Sequence, residues 1–245
     1  MGSSRLPGKV LSPILGAPML ARQVERLRRA RRIDALVVAT STDAADDGLV
    51  AVCSGLDIEL ARGSLSDVLD RVYHAAAKHA PGHVVRLTGD CPLADPQVID
   101  QVIEAHLATD SDYTSNALTP TFPDGLDVEV VRFVCLEEAW RSARLKSERE
   151  HVTPYLYNNP NEFRLHAVTT TPDRSAMRWT VDQQEDLEFV RRVYEALYPT
   201  NPAFSAEDVY RLLEREPSLA AVNAHLRRNE GYESSVRNER AQESP

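Results

Sequence analysis

Two short apolar runs rich in β-branched residues punctuate the N-terminal part of the chain: Ala35-Leu36-Val37-Val38-Ala39-Thr40 and His83-Val84-Val85-Arg86-Leu87-Thr88. Each follows an amphipathic stretch with helical spacing, Met19 to Arg31 and Ser66 to His79. Apolar strands alternating with helices are what a parallel sheet covered on both faces requires. Asp57-Ile58-Glu59-Leu60-Ala61 reads as a further strand, and Pro96 to Ala108 as a helix. Asp95 sits as the N-cap of that helix and Pro96 at its first position, where a missing N–H costs nothing. The fold class predicted is α/β, a three-layer sandwich. Such a sheet should open with a strand delivering the first loop, yet here the loop begins at Met1. The expectation is that the first, central strand is missing from the sequence.

From about Ser115 the rhythm changes. Asp127-Val128-Glu129-Val130-Val131 alternates polar and apolar residues, and Phe163 to Thr171 does so more loosely, on either side of a helix from Cys135 to Ala143. Residues 115–175 are therefore expected to form a small antiparallel flap laid over the first sheet, within one domain spanning 1–226. Helices return from Asp186 to Leu197 and from Ser205 to Glu214, and the polar, charge-mixed residues 227–245 read as a disordered tail.

The 245 residues are 42% hydrophobic and carry a net charge of −9, so a sizeable core is available. The acidic balance argues against a nucleic-acid partner, which calls for a basic face. Six arginines between Arg22 and Arg32, without interleaved aromatics, read as a solvated face. Cys53, Cys91 and Cys135 form no CxxC pair and suggest thiols in a reducing compartment. No apolar run is long enough to span a bilayer and no charged-then-apolar leader opens the chain, so a cytoplasmic protein without membrane insertion is expected.

Four segments carry chemistry. Gly2-Ser3-Ser4-Arg5-Leu6-Pro7-Gly8-Lys9 combines small residues, two hydroxyls and two cations. Small residues let backbone N–H groups approach phosphate oxygens, Arg5 offers a planar fork of donors, and Lys9 is a compact charge. The same composition also fits a disordered basic terminus, and the Walker ending is absent. Thr88-Gly89-Asp90-Cys91-Pro92 follows directly on a strand, where ligands sit in open α/β sheets. Asp90 is placed either to hold Mg²⁺ or to close a Gly-Asp turn. Asp182, ending Arg178-Trp179-Thr180-Val181-Asp182, is either a second carboxylate for the same ion or an N-cap. In the fourth segment, Phe122 to Glu129, Asp124 and Gly125 suit a turn, while Asp127 and Glu129 share one strand face. His151, in Glu148-Arg149-Glu150-His151, has a catalytic and a structural reading.

Taken together, Gly2 to Lys9, Ala39-Thr40-Ser41, Arg62-Gly63-Ser64 with Asp67-Val68-Leu69, Arg86 to Pro92, Phe122 to Glu129, Glu148 to Pro154 and Arg178 to Asp182 resemble the spore coat polysaccharide biosynthesis protein F family, within the CMP-sugar synthetases. The resemblance runs from Gly2 to about Tyr232. It implies a Rossmann-like (GT-A-like) nucleotidyltransferase and a cytidylyltransferase reaction: CMP passes from CTP to a sugar-like acid, pyrophosphate leaves, and the product serves surface-polysaccharide or glycoconjugate synthesis. Arg5 and Lys9 would act on the triphosphate, with Gly2, Ser3 and Ser4 beside them. Asp90 and Asp182 would hold Mg²⁺. Ala39, Thr40, Gly63, Ser64 and Arg86 would surround base and ribose. Asp124, Asp127, Glu129, Glu150 and His151 would face the acceptor, and the segment from Phe122 to Thr171 would support a homodimer.

Members of that family begin with a hydrophobic strand ending in Gln-Ala-Arg before the position of Met1. Its absence raises the expectation that Met1 is internal to a longer functional protein and that the chain as given is unstable or inactive. A glycosyltransferase, a sugar-1-phosphate nucleotidyltransferase and an inactive nucleotide-binding homologue are the competing readings. An Asp-x-Asp motif is lacking, which weighs against the first, and the presence of both Asp90 and Asp182 weighs against the last.

Overall fold

The computed structural model describes residues 5–228 and 230–243. After a 3-10 turn at Lys9–Leu11, a minimal antiparallel hairpin pairs β1 (Pro13–Ile14) with β2 (Ala17–Pro18). Leu15 and Gly16 both take positive φ between them, the geometry of a two-residue primed turn. There follow α1 (Met19–Leu27), β3 (Val37–Ser41), α2 (Asp47–Gly55), β4 (Glu59–Gly63), α3 (Val68–Ala77) and β5 (His83–Arg86). Next come α4 (Pro96–Thr109), β6 (Tyr113–Ser115), β7 (Glu129–Arg132), α5 (Phe133–Ser142), α6 (Lys146–His151), α7 (Pro154–Tyr157) and β8 (Leu165–Ala167). The chain closes with α8 (Gln184–Leu197), α9 (Ala206–Arg215), α10 (Pro217–Ala220) and α11 (Glu230–Glu243).

The mixed α/β architecture agrees with the expected class, and α3, α4, α5, α8 and α9 lie within two residues of their expected bounds, while α1 ends four residues early and α2 was not expected. Asp95 caps α4 as expected, its side chain accepting from Gln97 N at 2.7 Å, with Pro96 at the first turn. The sheet comes in two pieces. Among the described residues β3 and β4 pair in parallel as a two-stranded sheet, and a second sheet has the order β5-β7-β6-β8. Within it β7 runs antiparallel to both β5 and β6, while β8 is parallel to β6.

That order corrects the expected flap. The segment around Glu129–Arg132 does not lie over the sheet but enters it between β5 and β6. The reason is visible in two adjacent residues. Val130 packs into the core with Trp179 and the residues of α4 and α8, whereas Val131 packs on the other face with Leu69, Tyr113 and Leu136. A strand with both faces buried is an interior strand. Phe122, Leu126 and Val128 are likewise core residues, so little of the start of the expected dimer surface is exposed.

Two further expectations fail. Residues 230–243 of the supposed tail form α11, held by side-chain hydrogen bonds to α6 that composition does not reveal. The arginine-rich stretch is also no uniformly solvated face. Arg26 is buried, donates to the carbonyls of Ala94 and Phe204 at 2.8 and 2.9 Å, and lies over the Phe204 ring. No helix among the described residues is long and apolar enough to cross a membrane.

Candidate active site

Thr40, Gly63 and Asp90 lie at or just beyond the ends of β3, β4 and β5. Gly8, at a φ of 71°, turns the first loop into the 3-10 turn that starts with Lys9. A left-handed residue there costs glycine little and most other residues more. The turn aims Lys9 Nζ between two carboxylates, 2.8 Å from Asp90 Oδ2 and 2.8 Å from Asp182 Oδ1. Burial works against the Lys9 ammonium, but Asp90 and Asp182 outweigh it and hold its pKa above the ordinary value. Burial also works against the Asp182 carboxylate, and Lys9, Arg5 and Arg178 together reverse it and lower its pKa.

Asp90 and Asp182 are brought together by the backbone as well. Val181 N donates to Asp90 O at 2.8 Å, tying the turn after β5 to the loop before α8. Arg5 joins the cluster, with Nη2 3.0 Å from Asp182 Oδ2 and Nη1 3.0 Å from Glu230 Oε2. Gly2, Ser3 and Ser4, expected beside these cations, lie outside the described residues.

Arg178, unassigned in the sequence reading, is the hub behind this cluster. Its buried guanidinium donates to Asp182 Oδ2 at 2.9 Å, to Asp124 Oδ2 at 2.8 Å and to Asp186 Oδ1 at 3.0 Å. Burial alone would lower its pKa, and the carboxylates, Asp186 foremost, raise it instead. Asp186 is fully buried, accepts also from the backbone N–H groups of Asp182 and Gln183, and so closes the first turn of α8. The spacing of Arg178, Asp182 and Asp186 by four residues was the available signal, masked because the first gap spans a loop, not a helix.

The Phe122–Glu129 segment divides. Asp124 is docked on Arg178, with backbone bonds from Asp124 N to Met177 O and from Thr180 N to Asp124 O. Gly125 has φ 105°, and a Cβ there would stand 2.4 Å from Thr180 N. Asp127 pairs with Arg228, yet burial, aided by Asp124, raises its pKa to about 7. Glu129 sits apart from these two, accepting from Arg86, from Thr153 and from the Tyr113 hydroxyl at 2.6 Å. Arg86 and Glu129 are opposite each other in the β5–β7 register, which explains the pair.

His151 ends α6, with Nε2 3.1 Å from Ser235 Oγ, and burial lowers its pKa. Glu150 is exposed and accepts from the same hydroxyl at 3.2 Å. Thr40 turns its hydroxyl to the buried Asp46 at 2.7 Å, and Ala39 pairs with Ala61 inside the two-stranded sheet. Gly63 packs so tightly that a Cβ would meet the Arg71 side chain at 3.1 Å, and Ser64 Oγ accepts from Asp67 N at 3.0 Å at the start of α3. These four are thus engaged in local structure at the strand ends.

Two carboxylate oxygens that converge on one cation from a turn and a loop form a donor set suited to a hard divalent ion. Such an ion keeps several waters and takes substrate phosphate oxygens as its remaining ligands. The Lys9 ammonium stands where its charge would be needed, so the residues fit the group. Among the described residues no cluster of three or more His, Cys, Asp or Glu side chains forms an all-protein metal cage.

The family model described as "Cytidylyltransferase" matches residues 1–209. The chain belongs to the cytidylyltransferase family. This cytidylyltransferase is 36% identical over 228 residues to the spore coat polysaccharide biosynthesis protein SpsF of Bacillus subtilis, covering 90% of this chain and 93% of that protein. It is 34% identical over 228 residues to the protein MJ1063 of Methanocaldococcus jannaschii, with 92% of each chain covered. Among solved structures, a cytidylyltransferase from Leptospira borgpetersenii superposes with a TM-score of 0.85 at 31% identity, over 90% of this chain and 92% of that one. Family membership and fold therefore agree with the resemblance read from the sequence, and the reaction class is nucleotidyl transfer.

Proposed function

We propose that this cytidylyltransferase transfers CMP from CTP to a sugar-like acid, releasing pyrophosphate, with Mg²⁺ as the metal. The observation that carries the proposal is the position of Lys9 between Asp90 and Asp182, with Arg5 beside it. Two carboxylates, from the turn after β5 and the loop before α8, and two cations from the first loop suit a triphosphate that arrives with its own counter-ion.

In this reading Asp90 and Asp182 hold the ion, which when bound would polarise the α-phosphate and offset charge developing on it. Lys9 then leaves the carboxylates for phosphate oxygens, and Arg5 binds the departing pyrophosphate through its fork of donors. Arg178 keeps Asp182 oriented and ionised throughout. An acceptor oxygen attacks the α-phosphorus as the bond to pyrophosphate breaks, and the acceptor proton passes to solvent or to a nearby carboxylate. Ala39, Thr40, Gly63, Ser64 and Arg86 are assigned to base and ribose. Asp124, Asp127, Glu129, Glu150 and His151 are assigned to the acceptor side. Of these, Asp124 and Asp127 both have pKa values raised by burial, and Asp127, at about 7, suits proton uptake near neutrality.

The test is pyrophosphate release from each of the four nucleoside triphosphates with Mg²⁺, against a panel of acidic sugars. Release with CTP alone, abolished by Asp90→Ala, is the expected outcome. Equal release from a purine triphosphate, or activity that survives Asp90→Ala, would overturn the assignment.

A further inference from the structure

Helix α11 packs against α6 and reaches the first loop through its first residue. Three of its side chains meet the region around α6. The Tyr232 ring packs edge-on to His151 at 5.1 Å, and Ser235 Oγ lies 3.1 Å from His151 Nε2. Glu239 accepts from Ser147 N at 2.9 Å and from Ser147 Oγ at 2.7 Å. The first residue of the helix reaches elsewhere: Glu230 Oε2 is 3.0 Å from Arg5 Nη1. The Arg5 fork is thereby divided between Asp182, in the site, and Glu230, outside it.

We propose that Glu230 is a tethered anion that competes with the triphosphate for Arg5, so that nucleotide binding and release of the N-terminal end of α11 are coupled. The assignment of Arg5 to the triphosphate rests on the proposed function. The anchors at Tyr232, Ser235 and Glu239 involve neither Arg5 nor Lys9. Ser235 and Glu239, beyond the first turn, hold the helix in place while that turn, Tyr232 included, exchanges, which keeps Glu230 at high effective concentration near Arg5. A bound triphosphate offers several anionic oxygens to the fork where Glu230 offers one carboxylate, so the nucleotide displaces it. Both partners are about one-third exposed, so the competition is modest and sensitive to salt.

The experiment measures calorimetric affinity of the full chain for inorganic tripolyphosphate and for CTP, each with Mg²⁺, at low salt. Glu230→Gln is expected to bind tripolyphosphate about two- to fivefold more tightly than the parent chain. Glu233→Gln removes the same charge from an exposed position of the same helix and is the control for net charge, expected to change affinity much less. In an Arg5→Ala background the gain from Glu230→Gln should vanish. No gain, an equal gain in Glu233→Gln, a gain that persists without Arg5, or no tripolyphosphate binding in any chain would overturn the inference. If CTP is not preferred over other triphosphates while the tripolyphosphate pattern holds, the choice of nucleotide falls and the competition stands.

Discussion

Lys9 Nζ donates to Asp182 Oδ1 at 2.8 Å across 173 residues of chain, and the same nitrogen reaches Asp90 at 2.8 Å. An ammonium shared by two carboxylates is stable only while both remain ionised, and it supplies the charge a divalent ion brings when the nucleotide arrives. Lys9→Met is expected to reduce the maximal rate of pyrophosphate release by about 10²-fold or more, the scale of losing one preorganised charge at a developing anion. Circular dichroism should show the fold retained. A loss confined to the KM for CTP would reassign Lys9 to ground-state binding.

Asp186 is the buried partner on which Arg178 depends. Removing one member of a buried ion pair costs about 3–5 kcal/mol when the other is left uncompensated, and Asp124 and Asp182, which remain on Arg178, hold the loss to the lower end of that range. Asp186→Ala should therefore lower unfolding free energy by that order in a urea titration. Asp186→Asn, which keeps an acceptor for part of the network, should cost less. Equal, small effects from both would mean that Asp124 and Asp182 suffice for Arg178.

Gly125 is needed for two reasons at once: its positive φ and the Thr180 backbone against it. Gly125→Ala should destabilise by about 2 kcal/mol or more, since a strained φ and a backbone clash add. The loop it displaces carries Asp182, so activity should fall with stability. Thermal melting beside pyrophosphate release checks this, and an unshifted melting temperature would refute it.

Asp127 supplies a pH test. Its folded pKa of about 7 stands above the roughly 3.9 of an unfolded aspartate, so the folded chain keeps a proton that the unfolded chain has lost. Stability from this group is full below about pH 4, declines as pH rises, and is lost above about pH 7. Asp127→Asn removes the dependence. The melting temperature of the variant relative to the parent should rise steadily from pH 4 to pH 7 and then level off. A difference independent of pH would show that the Arg228 pair keeps Asp127 ionised throughout.

Most strands and the helices α1, α3, α4, α5, α8 and α9 were legible because their signals are local. Asp95 followed by Pro96 marks a helix start wherever it occurs, and the Val37-Val38 and Val84-Val85 pairs mark strands. Asp90 and Asp182 were legible as candidates from their positions after strand-like runs. The place of β7 was not, because Glu129 made an interior strand read as half-solvated. Only the tertiary structure supplies Arg86, Tyr113 and Thr153 to satisfy that carboxylate, and so permits Val130 and Val131 to be buried on opposite faces.

The same limit separates residue types from their partners. By itself the sequence determined the α/β class, the family, and the cations and carboxylates available for phosphate chemistry, since these follow from short-range pattern and motif. The tertiary structure decided that Arg178 stands behind the site, that Lys9 lies between Asp90 and Asp182, and that residues 230–243 form a helix packed on α6. Each of those depends on charges far apart in the chain meeting where water is scarce. Their pairing energy comes from burial, and no local pattern encodes it.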